Sequence, residues 1–451
     1  EEVLVSSLRQ RLALDRPELL AWAMYDWANS AMITVVVAAV FPIYFAEVAA
    51  KGLEPGVATQ RFSLTTTICI LIGAVISPLL GALADVSAIK KRLLAVFMLV
   101  GAGASAALFF IQRGDWFLAT ILFGVANIGA TASFVFYDSL LPHIASKEEI
   151  DRVSTSGYAL GYVGGGIALS LVSFLILEPT RFGLPATIGD GSAGDTLPVR
   201  LSFVFVALWW IVFSIPIFRR VPEPPRALEA DEAERAPPLR TALTRLRETF
   251  SELARYRQAM LLLVAFLVYN DGIGTIMRMA TTYGNEIGIA KSTLIGAFIA
   301  VQFIGVPCSF AFGALSGRFG AKRLVMFSLA VYGAISFLAW QMSTAWHFWA
   351  LAVLVGLVQG GSQALSRSLF ASMIPRHKSG EFFGLFSVLE KFAGALGPGL
   401  FYLTAMITGS SRNAILSVVV FFVLGAYLLS RVDVEEGRRA AREADADLRV
   451  L

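Results

Sequence analysis

Charge, histidine and cysteine are all scarce in this chain: of 451 residues 16% are Asp, Glu, Lys or Arg, three are His and two are Cys. Soluble domains carry roughly a quarter charged residues, so water is not the main solvent for these side chains. His143, His347 and His377 fall near loop ends and form no metal-ligand or nucleophile cluster with their neighbours. That pattern speaks against a metal site and against a membrane-embedded enzyme, and no cofactor is expected. Cys69 and Cys308 lie in apolar runs without metal-site spacing and read as small buried hydrophobes. The first twenty residues, EEVLVSSLRQRLALDRPELL, lack a compact apolar stretch, so the first long apolar run is expected to act as the insertion signal.

What the chain has instead is hydrophobic length. It is 56% hydrophobic with a mean hydropathy of +0.69, and a bilayer core of about 30 Å needs roughly 20 apolar residues per helix. Twelve such spans are expected, at 21–48, 61–84, 93–112, 116–141, 153–177, 199–217, 258–283, 292–316, 324–342, 345–373, 382–407 and 412–431. Basic loops stay cytoplasmic. With both termini inside, 27 of the 37 Lys and Arg residues fall on inner segments and 7 on outer loops. The net charge of +4 is therefore a topology signal, with the lipid bilayer rather than nucleic acid as partner. Short loops favour a bacterial inner (plasma) membrane.

Residues 219–257 break the apolar pattern with five prolines and mixed charge, ending in the amphipathic, Arg-rich LRTALTRLRETFSELARYR. The expected organisation is an N-terminal six-helix bundle (1–218), a cytoplasmic linker (219–257), a C-terminal six-helix bundle (258–431) and a cytoplasmic tail (432–451). Sliding one half over the other finds a repeat. GALADVSAIKKR at 81–92 recurs as GALSGRFGAKR at 313–323, Pro142 with His143 recurs as Pro375 with His377, and Gly161 and Gly164 recur as Gly394 and Gly397, at offsets of 232 to 233. Tyr25-Asp26 recurs as Tyr269-Asn270 at 244.

A twofold-repeated, twelve-helix, all-α chain with a long middle loop resembles the major facilitator superfamily. The resemblance implies two pseudo-symmetric six-helix bundles that rock about a substrate site near the midplane. Gly81, Asp85 and the cluster Lys90 to Arg92 resemble that superfamily's signature loop, although Val86 stands where Arg is common and Gly317 takes the Asp position in the second copy. By this resemblance Asp85 and Arg92 belong to an intracellular gate. AWAMYDWANSAM in span 1, YDSLLPHIA in span 4, SGYALGYVGGG in span 5 and EFFGLFSVLEKFAGALGPGLF in span 11 are similar to the autophagy-related vacuolar amino-acid effluxer-like family and its bacterial relatives. That likeness implies export of amino acids.

Ionisable groups in apolar spans cost at least about 2.5–3.5 kcal/mol each, so each needs a partner, water or a function. At 1.5 Å per residue Lys391 lies roughly 13 Å into span 11 and Asp271 roughly 20 Å into span 7. Asp26 shares a helical face with Asn29 and Ser30; it either meets substrate or a proton, or braces packing. Asp271, between Asn270 and the glycines Gly272 and Gly274, suits a gate or proton site, or else an ion pair. Lys391 beside Glu390 either holds a substrate carboxylate or forms a fixed pair with Glu390, Asp26 or Asp271. Gly397-Pro398-Gly399 is expected to break span 11. Arg278 snorkels to the outer surface. Asp138 and Arg367 approach the inner ends of spans 4 and 10; an acid at a helix C-terminus needs a basic partner, so both are assigned to the gate. Gln359, with Gln302 and Gln363, either lines the cavity or hydrogen-bonds between helices.

The expected function is a secondary transporter, not an enzyme: a monomer moving a small organic solute, amino acids first, by alternating access and with protons as the candidate coupling ion. Substrate contacts are assigned to Asp26, Asn29, Asn270, Asp271, Gln359 and Lys391, and proton coupling to Asp26, Asp271 and Glu390. A lipid or drug exporter of the same fold, and a membrane-embedded enzyme, are the alternatives.

Overall fold

The computed structural model describes the chain apart from residues 1–9, 11, 54–67, 69–71, 73–75, 186–195, 226, 229–240, 242–255, 394–395, 447–448 and 451. Cys69, the first part of span 2 and nearly all of the Arg-rich linker segment lie outside the described residues. Ten helices among those described are long and apolar enough to cross a membrane: α1 (Pro17–Ala49), α3 (Lys90–Phe110), α4 (Trp116–Ile144), α5 (Ile150–Leu177), α6 (Leu197–Arg220), α7 (Arg257–Glu286), α8 (Lys291–Phe319), α9 (Ala321–Trp340), α10 (Ala345–Ser372) and α12 (Arg412–Ser430). The shorter α2 (Ile76–Ser87) and the two pieces of α11, Ser379–Ala393 and Leu396–Thr408, stand at the places of spans 2 and 11. Helix is the required state because lipid offers no partner to an unpaired backbone group. Large side chains such as Phe117, Leu177 and Ile407 are 63–79% exposed, which fits an outer surface turned to hydrocarbon.

In the first half α1 packs on α5 and α6, and α3 on α4 and α6; in the second, α8 and α9 pack on α10, and α7 and α9 on α12. Across the halves α5 meets α8 and α10, and α4 meets α11. Aromatic stacking stiffens each half: Trp22 of α1 lies on Tyr137 of α4 at 4.4 Å, and Tyr332 of α9 on Phe422 of α12 at 5.3 Å. Each such pair is worth about 0.5–1.5 kcal/mol beyond area burial. Helix α1 widens from α to i→i+5 winding over Met32–Val40 and Phe45–Ala49.

One end of the bundle, here the tail side, gathers the start of α1, the α2–α3, α4–α5, α8–α9 and α10–α11 connections, and the C-terminal residues. Arg16 there donates to the Ile144 carbonyl at 2.8 Å, Lys91 to those of Phe218 and Val221 at 3.0 and 2.5 Å, and Lys322 to that of Val432 at 2.7 Å. Within the expected tail, 432–451, the structure describes α13 (Val434–Ala446) and a short strand β2 (Arg449–Val450). The strand pairs antiparallel with β1 (Ala227–Leu228) in the linker. Helix α13 buries Gly437, Ala441 and Ala444 against the bundle. Its last turn is held by Asp445, which accepts from the Arg376 amide at 2.9 Å and contacts His377 Nδ1 at 3.0 Å.

Candidate functional site

Helix α10 carries Gln359, Gln363 and Arg367 at i, i+4 and i+8, one polar line along a helical face. At its tail-side end Arg367 crosses to the other half. Its Nη1 lies 3.1 Å from Asp138 Oδ1 on α4 and 3.4 Å from Asp26 Oδ2 on α1. Its Nε donates to Ser154 Oγ and its Nη2 to the Ser154 carbonyl on α5, both at 2.9 Å. Ser154 returns a hydrogen bond to the Ala364 carbonyl of α10 at 2.7 Å. The guanidinium is stacked among Tyr158, Trp22 and Tyr137, at 4.4, 4.9 and 5.6 Å from their ring centroids. Arg367 is 4% exposed and Asp26 5%. A planar cation with five donors suits this bidentate, ring-lined seat, which an ammonium would fill poorly. Two carboxyl groups face one guanidinium, so the cluster has one more acidic group than basic.

The backbone makes room for this. A Cβ on Gly161 of α5 would lie 2.8 Å from both Asp26 Oδ1 and Ser30 Oγ, so only glycine lets α5 reach the acid. Tyr137, stacked on Trp22, donates its hydroxyl to Asp26 Oδ2 at 3.2 Å.

A second latch lies beside the first. Asp85, at the end of α2, pairs with Lys90 at 2.7 Å and accepts from the Glu381 amide of α11 at 3.1 Å. Lys90 Nζ also donates to Ser379 Oγ at 2.7 Å and lies 3.0 Å from His143 Nε2. Ser379 Oγ is 3.0 Å from the Ser139 carbonyl of α4. The α2 and α11 backbones touch here: a Cβ on Gly81 would collide with the Gly380 carbonyl, and one on Gly380 would sit 2.9 Å from Asp85 Oδ2. At Gly317, the repeat equivalent of Asp85, an added Cβ meets open space, so the latch is one-sided. Ser368 of α10 donates to Asp151 of α5 at 2.5 Å. The side-chain hydrogen bonds and ion pairs between the halves named here all lie on the tail side.

Above the clamp, in the second half, Gln363 Nε2 is 3.4 Å from Asn270 Oδ1, and Asn270 Nδ2 donates to Glu390 Oε1 at 3.2 Å. Gln359 follows one turn further along α10. Its neighbour in sequence notwithstanding, Asp271 turns elsewhere: its Oδ2 accepts from the Gly397 amide at 2.6 Å, at the start of the second piece of α11. The carboxylate thereby ties α7 to the backbone of α11.

Of the residues singled out in the sequence, Asp26, Asp138 and Arg367 come together, although Asp26 was assigned to substrate or proton and the others to the gate. Asp85 joins the latch. Arg92 does not: it is exposed, because at 100° per residue it points nearly opposite to Lys90 on α3, and Lys90 takes the place expected for it. Asn29 is fully buried and donates to Ser133 Oγ at 3.1 Å, bracing α1 on α4. Asn270, Glu390 and Gln363 form one network, with Gln359 on the same line. Asp271 ties α7 to the Gly397 amide of α11. The side chains of Lys391 and Arg278 lie outside the described residues. Ser154 and Ser379 carry no signal in the sequence; Tyr158 stands in SGYALGYVGGG and Lys90 in the basic cluster, neither with a role of its own. No group of three His, Cys, Asp or Glu residues among those described is placed to hold a metal ion.

Comparison with known proteins adds ancestry to this geometry. A family model described as Vacuole effluxer Atg22 like matches residues 57–442. The MFS-type transporter YxiO of Bacillus subtilis (strain 168) is 35% identical over 416 residues, covering 92% of this chain and 94% of that protein. Autophagy-related protein 22-1 of Phaeosphaeria nodorum is 26% identical over 457 residues, covering 87% and 79%. The crystal structure of the human organic anion transporter MFSD10 superposes with a TM-score of 0.67 at 15% identity, covering 92% of this chain and 99% of that one.

Proposed function

This chain belongs to the Atg22-like vacuole effluxer family of MFS-type transporters, and from that premise we propose that it carries a small organic solute, amino acids first, by alternating access between its two six-helix bundles. The single observation that carries this reading is the Arg367 clamp: one cation on the second half gripped by Asp26, Asp138 and Ser154 of the first. Such a clamp, with the Asp85–Lys90 latch beside it, is the locked state of a gate on the tail side. We read that side as cytoplasmic, and the membrane as a bacterial inner membrane.

The solute is bound, on this reading, along the polar line that leads away from the clamp. Gln359, Asn270 and Glu390, with Lys391 on the same helix as Glu390, offer acceptors, donors and charge of both signs, which suits a zwitterion. Arg367 is one helical turn, about 6 Å, beyond Gln363, so solute in this line sits directly over the gate. With two acids facing one guanidinium, the Asp26–Asp138–Arg367 cluster gives a proton a place to bind. Protonating one carboxylate weakens the grip on Arg367 and eases opening, which ties proton uptake to the gate.

Uptake and counterflow of an amino-acid panel in proteoliposomes, with and without a pH gradient, tests the reading. Saturable flux of at least one amino acid, accelerated by the gradient and lost in Glu390→Gln, is expected. Absence of flux for every member would sink the amino-acid assignment, and gradient-independent flux would sink the proton coupling.

A further inference from the structure

On the tail side, beyond the clamp, a cavity of about 280 Å³ opens between the halves. The first half contributes Lys147 from the loop after α4, the second Ser372 and Arg376 from the end of α10, and α13 contributes Arg438, Arg442 and Asp445. Four cations thus converge on one acid. Asp445 is already spent on the Arg376 amide and His377, and Arg438 on Glu435 at 3.0 Å. Among the described residues Lys147, Arg376 and Arg442 have no ion-pair partner. Burial and the charges of Arg442 and Arg376 hold the Lys147 ammonium below its ordinary pKa. Like charges brought to one cleft repel unless an anion joins them.

We propose that this cleft is a binding site for a phosphoryl group, free or as a lipid headgroup. A phosphoryl group matches the chemistry: up to two negative charges and three acceptor oxygens for guanidinium forks. The volume admits a phosphate with a small substituent. Because Lys147 and Arg376 stand on different halves, the site is complete only while the tail side is closed, so an anion bound there favours the closed state. That last step rests on the alternating-access reading, whereas the site itself does not.

The test uses the full chain, purified in detergent and held at constant ionic strength. Inorganic phosphate and pyrophosphate are titrated by calorimetry against the wild type and against the double variant Arg376→Gln/Arg442→Gln, whose exposed side chains leave the core intact. In parallel, thermal stability is compared in bilayer discs of phosphatidylcholine with and without phosphatidic acid. Binding of either soluble anion, weakened roughly tenfold or more in the variant as for loss of charge-assisted contacts, supports the site and names a free phosphate as its source. Stabilisation by phosphatidic acid alone, absent from the variant, supports it with a lipid source. No response to any of the three probes, or an equal response in the variant, overturns the proposal. Neither result depends on solute flux, so failure of the amino-acid reading leaves this test standing.

Discussion

Replacing Arg367 by Gln removes the cation that the buried Asp26, the partly exposed Asp138 and Ser154 share. In the closed arrangement Asp26 and Asp138 are then left without a neutralising charge, three aromatic rings lose their cation, and the Ser154 carbonyl loses a donor. Breaking a buried pair by removing one partner costs about 3–5 kcal/mol. Asp138 retains 16% side-chain exposure, so water can reach it, and the lower end of that range is the better figure. At 1.4 kcal/mol per decade, about 3 kcal/mol shifts the closed-to-open ratio by about 10²-fold. Spin labels at Ser146 and Arg323, exposed on the tail sides of the two halves, in a background with Cys69 and Cys308 replaced by Ala, read that ratio as a distance distribution by pulsed electron resonance. The variant should move most of its population to a longer distance, and Arg367→Lys, which keeps charge but not the planar fork, should fall between. A distribution identical to that of the wild type would refute the view that this clamp holds the halves together.

Other perturbations separate the remaining contacts. Gly380→Leu places carbon where the Gly81 carbonyl and Asp85 stand; overpacking of about 1–3 kcal/mol should bias the same spin-label distance toward opening. Lys90→Met strands Asp85 in a buried site and should lower the melting temperature by several degrees, whereas Arg92→Gln, at an exposed position, should stay within about 0.5 kcal/mol of wild type; equal effects on scanning fluorimetry would contradict the assignment of Lys90 to the latch. Asp271→Ala leaves the Gly397 amide without its acceptor, costing about 1–3 kcal/mol, and Asp271→Asn should recover most of that loss. If Asn and Ala melt alike, the hydrogen bond from Asp271 to the α11 backbone is not stabilising the fold.

The membrane helices were legible because lipid imposes a length and a composition that few other structures need. The break expected at Gly397-Pro398-Gly399 is not found there: the helix Leu396–Thr408 runs through all three residues. Pairing across the molecule was less legible, because Arg367 lies 341 residues from Asp26 and 229 from Asp138, and no periodicity links them. That Asp138 needed a cation followed from its place near a helix end, yet nothing local said that Asp26 would share it. Asp26 and Asp271 both read as candidate proton sites, and packing sent one to a cation and the other to a backbone amide. Helix α13 was overlooked because its face is small, with Gly437, Ala441 and Ala444, so no large apolar stripe announced it.

The central claim is that the two halves must part on the tail side for solute to cross. Ser368 and Asp151 stand on opposite halves with their side chains in direct contact, so Asp151→Cys/Ser368→Cys, with the native cysteines removed, offers a reversible bolt across the gate. Counterflow of the amino-acid panel is then measured in the oxidised protein and again after reduction. The account predicts that flux is lost on oxidation and restored by the reductant; unchanged flux through fully cross-linked protein would contradict it.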